Sequence, residues 1–377
     1  MRFFTGGESH GPCLTAIIDG LPAGLAIDPE AIDHDLARRQ GGYGRGGRMA
    51  IETDRVEILG GVIAGRTIGA PVVLRIANRD WTNWKDRWAS GDLEEITVPR
   101  PGHADFAGMS KFALDDARPI LERASARETA ARVAVGAIAK QMLEPFGVRI
   151  YSYIEALGGI EAAIGDEPPE LLHRRADANP VRCPDDAASQ RMVAAIDEAR
   201  EAGDSLGGVF TVIATGVPVG LGSHAQWDRR LDGRLAVVVV SIPAIKGVEI
   251  GSAFANAACR GTEVHDPFLP NGSGRPHRAS NHAGGLEGGM SNGEPIILRA
   301  AMKPIPSTVA PQPSVDLRTG KPAQTTYQRS DVCAVPAASI VGEAMVAWTL
   351  AEALHDKLGG DSLAEITAHW TAWRDHG

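Results

Sequence analysis

Two histidines sit in short glycine-bearing segments. His10 lies in Gly7-Glu8-Ser9-His10-Gly11, just before a strand-like run, and His103 lies in Arg100-Pro101-Gly102-His103-Ala104-Asp105. Histidine is the usual proton carrier near neutral pH. Ser9 beside His10 does not make a hydrolase elbow, which needs Gly-x-Ser-x-Gly. Pro101 and Gly102 fix the backbone before His103, and Asp105 is spaced to orient its ring. The arginines come in groups. Arg38, Arg39, Arg45 and Arg48 share a glycine-rich stretch, Arg38-Arg39-Gln40-Gly41-Gly42-Tyr43-Gly44-Arg45-Gly46-Gly47-Arg48. Guanidinium forks match the oxygens of carboxylates and phosphates. Arg123-Ala124-Ser125-Ala126-Arg127 opens an alanine-rich run, where free N–H groups and the helix dipole favour an anion. Arg329-Ser330-Asp331 puts a cation beside a proton acceptor. The loops Lys246–Gly251, Asn281–Gly285, Gly288–Ser291 and Lys303-Pro304-Ile305-Pro306-Ser307 suit a flat or phosphorylated ligand approached by backbone. Each segment also has a plainer reading: a turn histidine, a solvated loop, a Ser125 cap worth about 1 kcal/mol, or an exposed ion pair.

Together, two loop histidines, several arginine-bearing loops and one loop aspartate, with no metal-ligand cluster, point to a phosphorylated, carboxylated small molecule and general acid–base chemistry. Spacing alone does not name the reaction. A histidine-dependent phosphatase acting on a small phosphate ester remains open, as does an Arg-Gly loop RNA contact.

These residues need a scaffold, and the composition supplies one. The chain has 377 residues, 44% hydrophobic and 23% charged, ordinary for a folded protein. Its formal net charge of −9 argues against a nucleic-acid or anionic-membrane binder. The longest apolar stretch is read at 235–245, short of the roughly 20 residues a bilayer requires. Glu8 falls where a secretory segment would carry its apolar core. Cys13, Cys183, Cys259 and Cys333 are scattered without a Cys-x-x-Cys pair, so a reducing, cytoplasmic setting is expected.

Helices are expected after the Asp28-Pro29-Glu30 cap and after the Ser125/Glu128 capping-box pattern as far as Leu143. Three more are expected from Asp186 to Gly203, from Pro336 to about Leu358, and after the Ser362/Glu365 box. Strands are expected at 14–18, 55–63, 72–76, 209–214, 235–242 and 296–302. The two kinds do not alternate regularly, so the fold class is α+β rather than Rossmann or barrel. A single domain over 1–377 is expected, with 165–184 as a surface insertion.

Taken in order, these segments resemble the chorismate synthase family. The resemblance is carried by Gly7–Gly11, Arg100–Asp105, Ser125-Ala126-Arg127-Glu128-Thr129-Ala130-Ala131-Arg132-Val133, Lys246–Gly251, Asn281–Gly285 and Arg329–Asp331, and runs from about residue 2 to about residue 350. It implies a β-α-β sandwich, with helices packed between antiparallel sheets, and a homotetramer. It implies a lyase that takes 5-enolpyruvylshikimate 3-phosphate to chorismate and phosphate by anti-1,4-elimination. Reduced FMN (FMNH2) is required without net redox change and comes from an external flavin reductase or reductant.

By the family's pattern Arg39, Arg45, Arg48, Arg127 and Arg329 hold substrate. His10 protonates the leaving phosphate and His103 sits at the flavin. Asp331, through Ser9, helps take a proton from the flavin. Flavin contacts carry over to Arg123, Ala124, Ser125, Pro243, Ala244, Gly288, Lys303, Pro304, Ile305, Pro306, Ser307 and Arg329. Two of these depart from the pattern. Pro243 and Pro306 stand where polar residues are common, which removes side-chain contacts there.

Overall fold

The computed structural model describes all residues except 48–50, 271, 273–275 and 377. Strands β1 (Arg2–Gly6), β2 (Cys13–Asp19), β3 (Val56–Gly60) and β4 (Val72–Ala77) form an antiparallel sheet in the order β1-β2-β4-β3. Leu14, Ala16 and Ile18 on β2, and Val72, Leu74 and Ile76 on β4, are buried at alternate positions. That is the period of a sheet covered on one face. A second antiparallel sheet contains β5 (Arg149–Leu157), β6 (Ile160–Glu161), β7 (Gly208–Thr215), β8 (Ile245–Ile250) and β9 (Ile296–Met302), in the order β8-β9-β7-β5-β6.

The helices that shape the site are α1 (Pro29–Gln40), α2 (Arg118–Ala124), α3 (Thr129–Leu143), α4 (Pro169–Asp177), α5 (Leu231–Val240) and α6 (Val335–Leu358). The alanine-rich α3 packs on β2 and β4 on one side and on α6 on the other, while α6 lies on β5 and β7. The layers are therefore sheet, helices, sheet. Small residues permit this: a Cβ on Gly136 of α3 would come within 2.3 Å of the Ala344 backbone, and one on Gly342 of α6 within 2.6 Å of the Phe210 ring. Asp28 caps α1 by accepting from the Glu30 N–H at 2.9 Å. Ser362 and Glu365 close their box in both directions.

Three expectations are corrected and a fourth is sharpened. Residues 235–242 are not a strand. Leu231, Leu235 and Val239 fall at four-residue spacing on the buried side of α5, so packing against α6 and β8 overrides the β-propensity of the valine run. Residues 165–184, expected as a surface insertion, are tied to the second sheet. They carry α4, whose Leu172 and Ala176 pack with Tyr153 and Ile213 on the second sheet, and then the buried Val181, Arg182 and Cys183. Ser125 caps, accepting from the Arg127 N–H at 3.3 Å, but Glu128 bonds Thr5 and Arg132 instead of closing the box. The first turn, Ala126–Glu128, is 3-10. Finally, α6 is long and apolar enough to span a bilayer by length and composition, yet 94% of its most apolar window is buried inside the fold.

Candidate active site

A cavity of about 630 Å³ opens where the first sheet, the α2–α3 junction and the start of α6 meet. Its described walls carry seven cations, Arg39, Arg45, Arg100, Arg118, Arg127, Lys303 and Arg329, against two carboxylates, Glu94 and Asp331. The acidic chain thus presents a basic cavity. Asp54, Asp80, Asp105 and Glu122, which pair with several of these arginines, sit outside the lining and are buried.

The arginines are held rigidly from behind. Arg39, at the end of α1, donates from Nε to Thr129 Oγ1 (2.9 Å) and from Nη2 to the Ala126 carbonyl (2.8 Å). Its buried Nη1 has no hydrogen-bond partner. Arg127 donates from Nη1 to Asp54 (2.6 Å) and from Nε to Asn78 Oδ1 (2.9 Å). Arg45 donates from Nη1 to Asp331 Oδ2 (2.5 Å), while its buried Nε is unpartnered. Asp331 Oδ1 accepts from the Gly46 N–H (2.7 Å). Burial, helped by the like charges of Arg45 and Arg127 and opposed by Asp54, pulls Arg39 down to about 10. It remains protonated at neutral pH, with Asp54 Oδ2 3.8 Å from Nη1.

Each histidine is backed by a buried carboxylate. His10 Nδ1 lies 2.8 Å from Glu122 Oε1. His103 Nδ1 lies 2.5 Å from Asp105 Oδ1, and Asp105 also accepts from Arg100 Nε (2.8 Å) and Nη2 (3.0 Å). Burial pushes Asp105 up, but the bonds from His103 and Arg100 outweigh it and hold the carboxyl well below its usual range. The carboxylate beside Nδ1 of His10 favours the neutral tautomer protonated there, whereas Nδ1 of His103 also lies 2.9 Å from Arg100 Nη2.

Ser9 donates its hydroxyl to Ser125 Oγ (3.0 Å), and both residues line the cavity. Arg329 stands at the half-exposed rim, donating to the buried Asp80 (2.7 Å).

One stretch of wall gathers most of the residues expected to contact the flavin. Ala124, Ser125, Pro243, Ala244, Lys303, Ile305, Pro306 and Ser307 all line it. Ala244 takes a left-handed backbone (φ 68°), and its carbonyl accepts from the Lys303 N–H (3.0 Å). Lys303 Nζ donates to the Gly102 carbonyl (2.5 Å) and Ser307 Oγ accepts from Arg100 (2.7 Å). Pro243 and Pro306 are on the wall but offer no side-chain donor. Three expected contacts are not among the lining residues. Arg123 donates to Thr5 and the Gly7 carbonyl, tying α2 to β1. Gly288 occupies the turn between the short strands Leu286–Glu287 and Met290–Ser291. Pro304 is the third. Arg48 lies outside the described residues. Glu122, Trp84, Asp54 and Asn78 escaped the sequence reading. Only Arg118 and Glu122, at helical four-residue spacing, left a pairing signal.

The model of the chorismate synthase family matches residues 1–355. The chain belongs to the chorismate synthase family. It is a lyase of that family. A chorismate synthase from Desulforudis audaxviator is 54% identical over 97% of this chain and 95% of its own length. One from Chlorobaculum tepidum is 51% identical over 99% and 98%. A crystal structure of a chorismate synthase superposes with a TM-score of 0.81 at 43% identity, covering 100% of this chain and 97% of that one. The chorismate synthase fold is thus the β-α-β sandwich described above. Among the described residues no group of three His, Cys, Asp or Glu side chains could hold a metal ion.

Proposed function

We propose that this cavity converts 5-enolpyruvylshikimate 3-phosphate to chorismate and phosphate by anti-1,4-elimination, with reduced FMN bound against the 243–244 and 303–307 wall. One observation carries this reading: a cavity lined by seven cations and only two carboxylates also holds two carboxylate-backed histidines. The substrate has a phosphate and two carboxylates, the charge such a cavity is missing.

The chemistry breaks one C–H and one C–O bond and forms one double bond, with no net oxidation. Arg39, Arg45 and Arg127 hold the anionic groups from the interior and Arg329 holds one at the rim. His10 delivers a proton from Nε2 to the departing phosphate, which leaves poorly when fully ionised. His103, fixed by Asp105, holds a proton at the other histidine position. Asp331, oriented by Arg45 and the Gly46 N–H, accepts the proton lost in the elimination, with the Ser9–Ser125 pair lining the same cavity. When bound, reduced FMN supplies electron density that eases C–O cleavage and is regenerated. The family likeness supports a homotetramer in the cytoplasm, with reduced flavin delivered by a separate reductase.

The test is anaerobic release of phosphate and chorismate from 5-enolpyruvylshikimate 3-phosphate, with and without photoreduced FMN. Both products should appear only with reduced flavin. Phosphate without flavin restores the phosphatase reading, and no product in either arm refutes the proposal. His10→Ala should keep flavin binding and lose most turnover.

A further inference from the structure

His10 is gripped at two points by one side chain. Glu122 on α2 is buried, its Oε2 accepts from the His10 main-chain N–H at 2.8 Å, and its Oε1 accepts from Nδ1 at 2.8 Å. The main-chain bond alone would hold the loop. The second bond acts only on the ring. Arg118, one turn earlier on α2, lies 3.7 Å from Oε1 and offsets the buried charge.

The ring's face is covered as well. Trp84 packs on it with centroids 4.1 Å apart and planes tilted by 33°. Trp84 is in turn fixed: its indole N–H donates to the fully buried Asp80 (3.3 Å), and Arg87 and Arg118 lie over its ring. The groups around His10 are thus Glu122 and Arg118 from α2, and Trp84 with Asp80 and Arg87 from the segment before it. A carboxylate on Nδ1 selects both the tautomer protonated there and the flip state that puts Nδ1 against Glu122, and stacking holds the plane of the ring.

We propose that Glu122 and Trp84 are positioning residues for His10, fixing its ring so that Nε2 alone faces the cavity. The inference rests on the reading of His10 as the proton donor, but its structural half is tested without activity.

The test uses full-length protein with ring-15N histidine, His10 being assigned by loss of its signals in His10→Gln. The wild-type ring should carry its neutral-form proton on Nδ1. In Glu122→Ala it should move to Nε2, and Glu122→Gln, which keeps an acceptor, should preserve Nδ1 in part. With the elimination assayed alongside, kcat should fall on the order of 100-fold in Glu122→Ala. KM should stay within about threefold, and Glu122→Gln should recover part of the loss. Trp84→Leu should lower kcat by about tenfold, again without raising KM. A wild-type proton on Nε2 overturns the proposal without any variant. So does a Glu122→Ala protein whose tautomer and kcat are unchanged. Full turnover in His10→Ala would remove the acid reading, whereas a tautomer that follows Glu122 would still support the clamp.

Discussion

Arg38 and Arg39 are neighbours on the last turn of α1, and their surroundings are opposite. Arg38 donates to Asp35 (2.8 Å), Asp177 (3.0 Å) and both oxygens of Glu343 (2.8 and 2.9 Å). Lys140 adds bonds to Asp35 and Glu343, and Arg182 pairs with Asp177 and Ser339. Three cations meet three carboxylates in a closed network. Burial pushes Glu343 up, yet Arg38 and Lys140 outweigh it and hold its carboxyl well below the usual range. Burial likewise pulls Arg38 down, and Glu343 and Asp35 more than reverse it. Around Arg39 the closure is weaker: Nη1 makes no hydrogen bond and has only Asp54 at 3.8 Å, two more arginines crowd it, and its pKa sinks to about 10. Consecutive helix residues point about 100° apart, so one arginine enters the packed helical layer and the other enters the cavity. The saturated cluster belongs to the packed helical layer, whereas Arg39 lines the cavity.

The strongest challenge to this contrast is Glu343→Ala. It leaves Arg38, Lys140 and Arg182 short of the one fully buried carboxylate they share, and should cost about 3 kcal/mol of unfolding free energy. A chemical-denaturation loss well under that would mean the network is not closed as described.

Arg39→Lys should reverse the pattern. It keeps the charge and loses the fork, so kcat/KM should drop about 10- to 100-fold, with a much smaller stability change than Glu343→Ala. Equal stability losses in the two variants would erase the distinction between the regions.

Inorganic phosphate sharpens the comparison from the ligand side. It should raise the wild-type melting temperature by mass action and do so less in Arg39→Lys. Phosphate protection that is equal in both proteins would place the anion elsewhere.

The smallest effect belongs to His173 in the closed network. Burial lowers its pKa from the ordinary 6.5, against the pull of Glu343 and Asp177. As pH falls below about 6.5 the unfolded chain binds this proton before the folded one does. Stability should therefore fall from there down towards the lower folded value. His173→Gln should flatten that part of a melting-temperature profile.

Several of these features were legible in the sequence. Asp28, the alanine run and the Ser362/Glu365 box are local signals, and the helices they announce are present. The arginine-rich glycine loops and the two histidine segments announced anion and proton chemistry, because residue type alone fixes charge and proton capacity. The valine run at 237–240 misled, since β-branching is a weak preference that packing against α6 overrules. In 165–184 the polar composition masks the two buried residues, Leu172 and Ala176, that anchor the segment to the second sheet.

The sequence by itself determined which side chains could carry charge and protons, and the family order in which they occur. Only the tertiary structure decided that His10, His103 and Asp331 line one cavity, that Glu122 grips His10, and that Arg39 rather than Arg38 faces the cavity. Those facts depend on which groups lie within about 3 Å of one another across more than a hundred residues of chain. That proximity is set by how two sheets close over a helical layer, and no local pattern of residues encodes it.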